Sequence, residues 1–94
     1  MSAHVRPLEE LRGEIEQIDR DLVALIARRI ELAREAGRRK RAAGQPTLDP
    51  AREAEVVRRA GQFARDANVP EEEVREIFWH LIGLSRRAQA DTSA

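Results

Sequence analysis

The sequence predicts an all-α chain of three helices, one long and two of middle length, and three observations predict it. Apolar residues recur at alternating steps of three and four through Leu8, Leu11, Ile15, Ile18, Leu22, Leu25, Leu32 and Ala36, with Arg29 in the same row. That is the seam of a helix packed along its length on other helices. Of 94 residues, 36% are charged and only 3% aromatic, the composition of long helices rather than of sheets. Helix breakers fall between the periodic stretches, at 43–48 and 68–70, with no alternating strand pattern and no internal repeat. The length is that of one domain, expected over 1–94 with a core at 8–89 and frayed ends at 1–6 and 91–94.

The first helix is expected from Leu8 to about Ala42. Pro7 suits its first turn, and Glu9 and Glu10 suit its positive end. Gly37 is a weak point, costing about 1 kcal/mol relative to alanine. A helix of about 35 residues is roughly 50 Å long, whereas a compact domain of this size has a radius of gyration of about 13 Å. The rest of one chain cannot easily cover it, so an oligomer is expected, most simply a dimer. The segment 43–48 reads as a loop. Asp49 then caps a second helix with Pro50 at its first position. Its stripe is Val56, Val57, Ala60, Phe63, Ala64 and Ala67, and Asn68-Val69-Pro70 ends it. A third helix opens on Pro70, with Glu71, Glu72 and Glu73 in its first turn. Its stripe runs Val74, Ile77, Phe78, Leu81, Ile82, Ser85, Ala88 and Gln89.

Composition narrows the function. Seventeen basic and 17 acidic residues leave no net charge, which argues against a nucleic-acid binder with its usual basic surplus. Without cysteine there is no disulfide and no thiolate metal site, and His4 and His80 lie too far apart to form a ligand pair. No apolar run suits a signal peptide or a membrane span, so the expected location is the cytoplasm.

The apolar stripes carry polar residues. Arg29 stands in the first seam, and a guanidinium on a packed stripe needs an anion to face. Lys40 follows eleven residues later, about three full turns on, and projects to nearly the same side. Glu53 lies one turn before Val56 and Val57, while Ser85 and Gln89 sit on the third stripe. Singly, each reads as a register device or a snorkelling side chain. Together, over three helices, they point equally to a pocket for a small anion. Arg12 is separate: seventeen residues before Arg29, it is roughly 25 Å away along the helix. Within one chain the two cannot hold one small molecule. In an antiparallel pair of long helices, Arg12 of one chain approaches Arg29 of the other; the plain alternative is a solvated surface arginine. The run Arg38-Arg39-Lys40-Arg41 reads as a solvated face, Trp79 as helix packing, and His80 as having no role.

These residues resemble the all-helical class of chorismate mutase, over about Leu8 to Gln89. Leu11-Arg12-x-x-Ile15-x-x-Ile18-Asp19-x-x-Leu22-x-x-Leu25 is similar to the family's first helix, and Arg28-Arg29 through Ala33, then Gly37-x-x-Lys40, to its middle. Asp49-Pro50-x-Arg52-Glu53 matches the start of the second helix and Ser85-Arg86-x-x-Gln89 the closing motif. The resemblance implies an intertwined homodimer, a six-helix bundle with two sites, each taking one arginine from the other chain. By resemblance that arginine is Arg12. Arg12 and Arg29 bind the two carboxylates of chorismate, with Arg52 close by and Ser85 assisting. Lys40 and Gln89 hydrogen-bond the ether oxygen; Glu53 and the backbone near Asp49 hold the ring hydroxyl. Lys40, Gln89, Glu53 and Arg29 are thus the implied catalytic set.

The implied reaction, the Claisen rearrangement of chorismate to prephenate in aromatic amino-acid biosynthesis, is intramolecular and needs no nucleophile, metal or cofactor. Two rivals share the fold. Isochorismate pyruvate lyase lacks a clear counterpart of the Asp49–Glu53 motif. A 4-amino-4-deoxychorismate mutase would keep nearly every residue named and differ near Glu53. A rival of another class is a helical dimerisation or DNA-binding module using the 38–41 run.

Overall fold

The computed structural model describes residues 5–91, which form three α-helices: α1 (Leu8–Ala42), α2 (Pro50–Asp66) and α3 (Glu71–Asp91). Of the ends expected to fray, 1–6 and 91–94, residues 1–4 and 92–94 fall outside the described residues, while 5 and 6 precede α1 without helical structure and Asp91 is the last residue of α3. Each boundary has a local cause. α1 begins after Pro7, whose carbonyl accepts from the amides of Glu10 and Leu11 at 3.0 and 3.2 Å. Glu9 and Glu10 lie at its positive end and Arg39, Lys40 and Arg41 at its negative end. Asp49 caps α2 by accepting from the Arg52 amide at 3.1 Å, with Pro50 in the first turn.

α1 and α2 end in the same way. Gly44 (φ 70°) and Asn68 (φ 59°) take the left-handed conformation. The next amide then reaches back five residues, Gln45 to the Lys40 carbonyl at 2.8 Å and Val69 to the Ala64 carbonyl at 2.9 Å. Glycine and asparagine are the residues that tolerate this ending. α3 starts one residue later than the sequence suggests, with Pro70 just outside the helix and its carbonyl accepting from the Val74 amide.

α3 is the shared support: α1 and α2 each pack on it. The α2 contact is close because its buried face is Val57, Ala60, Gly61 and Ala64, spaced by three, one and three along one stripe. Arg75 of α3 lies across Gly61, where an added Cβ would come within 2.7 Å of its Nε, and is held there by Glu71 and Glu72. Ile82 and Ala88 complete the core from α3. Burying Val57 and Ile82 stabilises the fold by about 1.5–3 kcal/mol each.

That core is small, and the molecule is long, measuring 66 × 27 × 15 Å. Its radius of gyration of 17.8 Å compares with about 13 Å for a compact chain of this length. The reason is the N-terminal half of α1. The seam residues Leu8, Leu11, Ile15, Ile18, Leu22 and Leu25 are all exposed, Ile15 at 57% and Leu25 at 65%. A row of this kind over about 26 Å is an unfinished interface. Phe63, Ile77 and Trp79, expected to pack, are also exposed.

Candidate active site

The three helices converge on one cleft of about 300 Å³, large enough for a small metabolite. α1 supplies Arg29 and Lys40, whose eleven-residue separation puts them on one side with Leu32 and Ala33 between. The start of α2 supplies Asp49, Arg52 and Glu53, fixed by the cap that begins that helix. The second half of α3 supplies Ser85, Arg86 and Gln89. Each group has a defined setting. Arg29 Nη1 donates to Ser85 Oγ at 2.5 Å, and Ser85 Oγ donates onward to the Leu81 carbonyl at 3.0 Å. The Lys40 ammonium donates to the Thr47 carbonyl at 3.1 Å, which turns it toward the α1–α2 loop. Arg41, on another side of α1, donates instead to the Gln89 carbonyl at 2.9 Å and ties α1 to the last turns of α3.

The Glu53 carboxylate is gripped from α3 by Arg86, with Nε donating to Oε2 at 2.7 Å and Nη2 donating to Oε1. This hydrogen bond, with the charge of Arg86 and more distantly Lys40, holds Glu53 below its ordinary value of 4.5 against burial and Asp49. The sign of the linkage follows. A carboxyl whose value is lowered by folding adds stability above 4.5, and that stability is lost as pH falls through the lowered value. Glu53→Gln is therefore expected to be less stable than the parent chain in urea at neutral pH. The gap should narrow as pH falls below 4.5 and through the lowered value of Glu53; a gap independent of pH throughout acid unfolding would assign the loss to packing.

The cleft carries four cations (Arg29, Lys40, Arg52, Arg86) and two carboxylates (Asp49, Glu53), a surplus of two positive charges. Arg86 is spent on Glu53. Most arginines of this chain are paired with a carboxylate, yet among the described residues Arg29, Lys40 and Arg52 have none within ion-pair distance. Three such cations leave a cleft of this size with a positive surplus, the charge and donor set that suit a small anion. No group of three or more His, Cys, Asp or Glu able to hold a metal ion occurs among the described residues.

Seven of the eight residues singled out in the sequence meet here: Arg29, Lys40, Asp49, Arg52, Glu53, Ser85 and Gln89. Arg12 does not. It lies on the uncovered half of α1, exposed and 3.3 Å from Glu9. The sequence reading named Arg86 within the closing motif but gave it no role at the site. Its partner Glu53 is 33 residues away in the chain, and no local spacing joins them.

Gly37, read from the sequence only as a weak point in α1, has a packing reason. It is buried against α3, and a Cβ there would lie 3.2 Å from the Cα, Cβ and Cγ of Gln89. Alanine in a helix interior normally adds about 1 kcal/mol over glycine. In Gly37→Ala that gain is expected to be absent in chemical denaturation, because α3 must shift at Gln89. A clear rise in stability would show that the contact yields freely.

The fold and cleft together define a class, small all-helical proteins with a cation-rich cleft where three helices meet. The comparisons identify which one. The family model for chorismate mutase type II matches residues 11–90, and the chain belongs to that family. It is 33% identical over 85 residues to the chorismate mutase of Methanocaldococcus jannaschii, covering 90% of this chain and 86% of that protein. It is 45% identical over 56 residues to the 3-dehydroquinate dehydratase of Pyrobaculum aerophilum, covering 60% of this chain but only 19% of that protein. Among solved structures, a conserved hypothetical protein from Pyrococcus furiosus superposes with a TM-score of 0.72 at 35% identity, over 92% of this chain and 99% of that one.

Proposed function

We propose that the chain is a chorismate mutase, an isomerase that converts chorismate to prephenate. The observation that carries this reading is the trio of cations without carboxylate partners, Arg29, Lys40 and Arg52, beside Gln89 in one small cleft. A substrate with two carboxylates matches the net charge of the cleft. In the rearrangement the ether C–O bond breaks as a new C–C bond forms within one molecule, so no nucleophile or proton carrier is required. What the protein contributes is a held reactive conformation and stabilisation of charge where it develops. Arg29, steadied by Ser85, takes one carboxylate, a bidentate task suited to a guanidinium. Lys40 and the Gln89 amide face the ether oxygen, where negative charge grows as the bond lengthens. Arg52 lies close to the carboxylates, and Glu53 with the backbone near Asp49 receives the ring hydroxyl.

The reading includes a homodimer. The bare seam from Leu8 to Leu25 is best covered by the same seam of a second copy running antiparallel, which makes a six-helix assembly. In that arrangement Arg12 of the partner supplies the second carboxylate contact. No helix among the described residues is long and apolar enough to cross a membrane, and we place the enzyme in the cytoplasm. Incubation with chorismate, followed by loss of its ultraviolet absorbance and identification of prephenate, tests the proposal. Folded protein that leaves chorismate unchanged would sink it.

A further inference from the structure

We propose that Arg86 is a positioning residue that sets the charge around Glu53, so that the cleft accepts a neutral hydroxyl there in preference to an ammonium. This rests on the mutase reading and deepens it, from the reaction to the ring substituent that the site selects. Glu53 is only 15% exposed at its side chain, whereas Arg86 is 53% exposed and reaches in from the surface of α3. Its two donors engage both carboxylate oxygens as a fork. The pair is a neutral unit. A carboxylate accepts up to about four hydrogen bonds, so acceptor capacity remains on the cleft side for a hydroxyl proton.

A lone carboxylate in a partly buried wall would behave differently, because its uncompensated charge attracts an ammonium strongly. With Arg86 paired to it at the cleft wall, an approaching ammonium gains little. The other charged groups around Glu53 add to the bias: Lys40 from α1 and Arg52 from α2 are cations, and Asp49 is committed to the cap of α2. The three positive groups, Arg86, Lys40 and Arg52, therefore disfavour a cationic ring substituent, and the Arg86–Glu53 pair is the part of that arrangement that one substitution removes.

The test compares kcat/KM for chorismate and for 4-amino-4-deoxychorismate in the full-length chain, Arg86→Gln and Arg86→Lys. Arg86→Gln is expected to lower the ratio of hydroxyl to amino substrate by about tenfold, the scale of one charged hydrogen bond, and Arg86→Lys to restore most of it. The acid limb of the chorismate profile should also move to higher pH in Arg86→Gln, because Glu53 loses the group that keeps it ionised. Equal losses on both substrates with an unmoved acid limb would reduce Arg86 to a tie between α2 and α3 and overturn the proposal. Parent protein that prefers the amino substrate would overturn it while leaving a mutase. Folded parent protein inert on both would fail the mutase reading itself and take this inference with it.

Discussion

Lys40→Ala is expected to lower kcat by about 10²–10³, the cost of removing one donor from a site of developing negative charge, and to raise KM by much less. The asymmetry is the informative part. An interaction made equally in the bound substrate and in the transition state changes KM; one that strengthens as the bond breaks changes kcat. Lys40 suits the second role. Its ammonium is half-buried and donates to the Thr47 carbonyl, which uses one of three protons. No carboxylate among the described residues neutralises it. Its position three turns from Arg29 follows from helix geometry alone, which places both on the cleft side of α1. The measurement is steady-state kinetics on a variant shown by circular dichroism to stay helical. An unchanged kcat would remove Lys40 from the transition state and leave Arg52 as the remaining cation for the role.

The helices were legible because their signals are local. The seam of α1, the Asp49-Pro50 start of α2 and the acidic first turn of α3 each act within a few residues, and the structure starts and stops its helices at those points. Gly44 and Asn68, read as breakers, are the two left-handed residues that end α1 and α2. Which apolar residues would be covered was less legible. Phe63 shares helical spacing with Ala60 and Ala64, yet it lies about a third of a turn from the centre of the face that meets α3 and is 61% exposed. Periodicity identifies a face, but only the width of the neighbour decides where its edge falls.

The cleft was legible in two layers. Polar residues on apolar stripes pointed to Arg29, Lys40, Glu53, Ser85 and Gln89 without reference to any other protein. Arg52 and Asp49 entered only through the family resemblance, since an exposed arginine and a capping aspartate have ordinary explanations in the sequence. Arg86 stands in the closing motif of the resemblance, yet neither route gave it a role. Its meaning depends on α2 and α3 packing so that residues 53 and 86 meet, and that register is a property of the folded chain.

Mixing Arg12→Ala chains with Arg29→Ala chains is expected to restore activity that neither variant has alone. Each homodimer would lack one carboxylate contact at both of its sites, and a charged bidentate contact of this kind is worth about 1.5–3 kcal/mol or more. In the mixed dimer the two defects fall in the same site. The chain with native Arg29 receives native Arg12 from its partner, and the other site has lost both. If chains exchange freely, half of the dimers are mixed and half of their sites are intact, so about a quarter of parental activity should return. The geometry makes any other source of rescue hard to arrange. Arg12 lies seventeen residues from Arg29 on the same unbroken helix, roughly 25 Å away, so in one chain the two do not meet at one small molecule. Refolding the two chains together and measuring chorismate turnover, with dimer mass checked by light scattering, decides the matter. Mixed dimers that stay inactive would mean that Arg12 belongs to the surface and that the second carboxylate is met by Arg52 of the same chain.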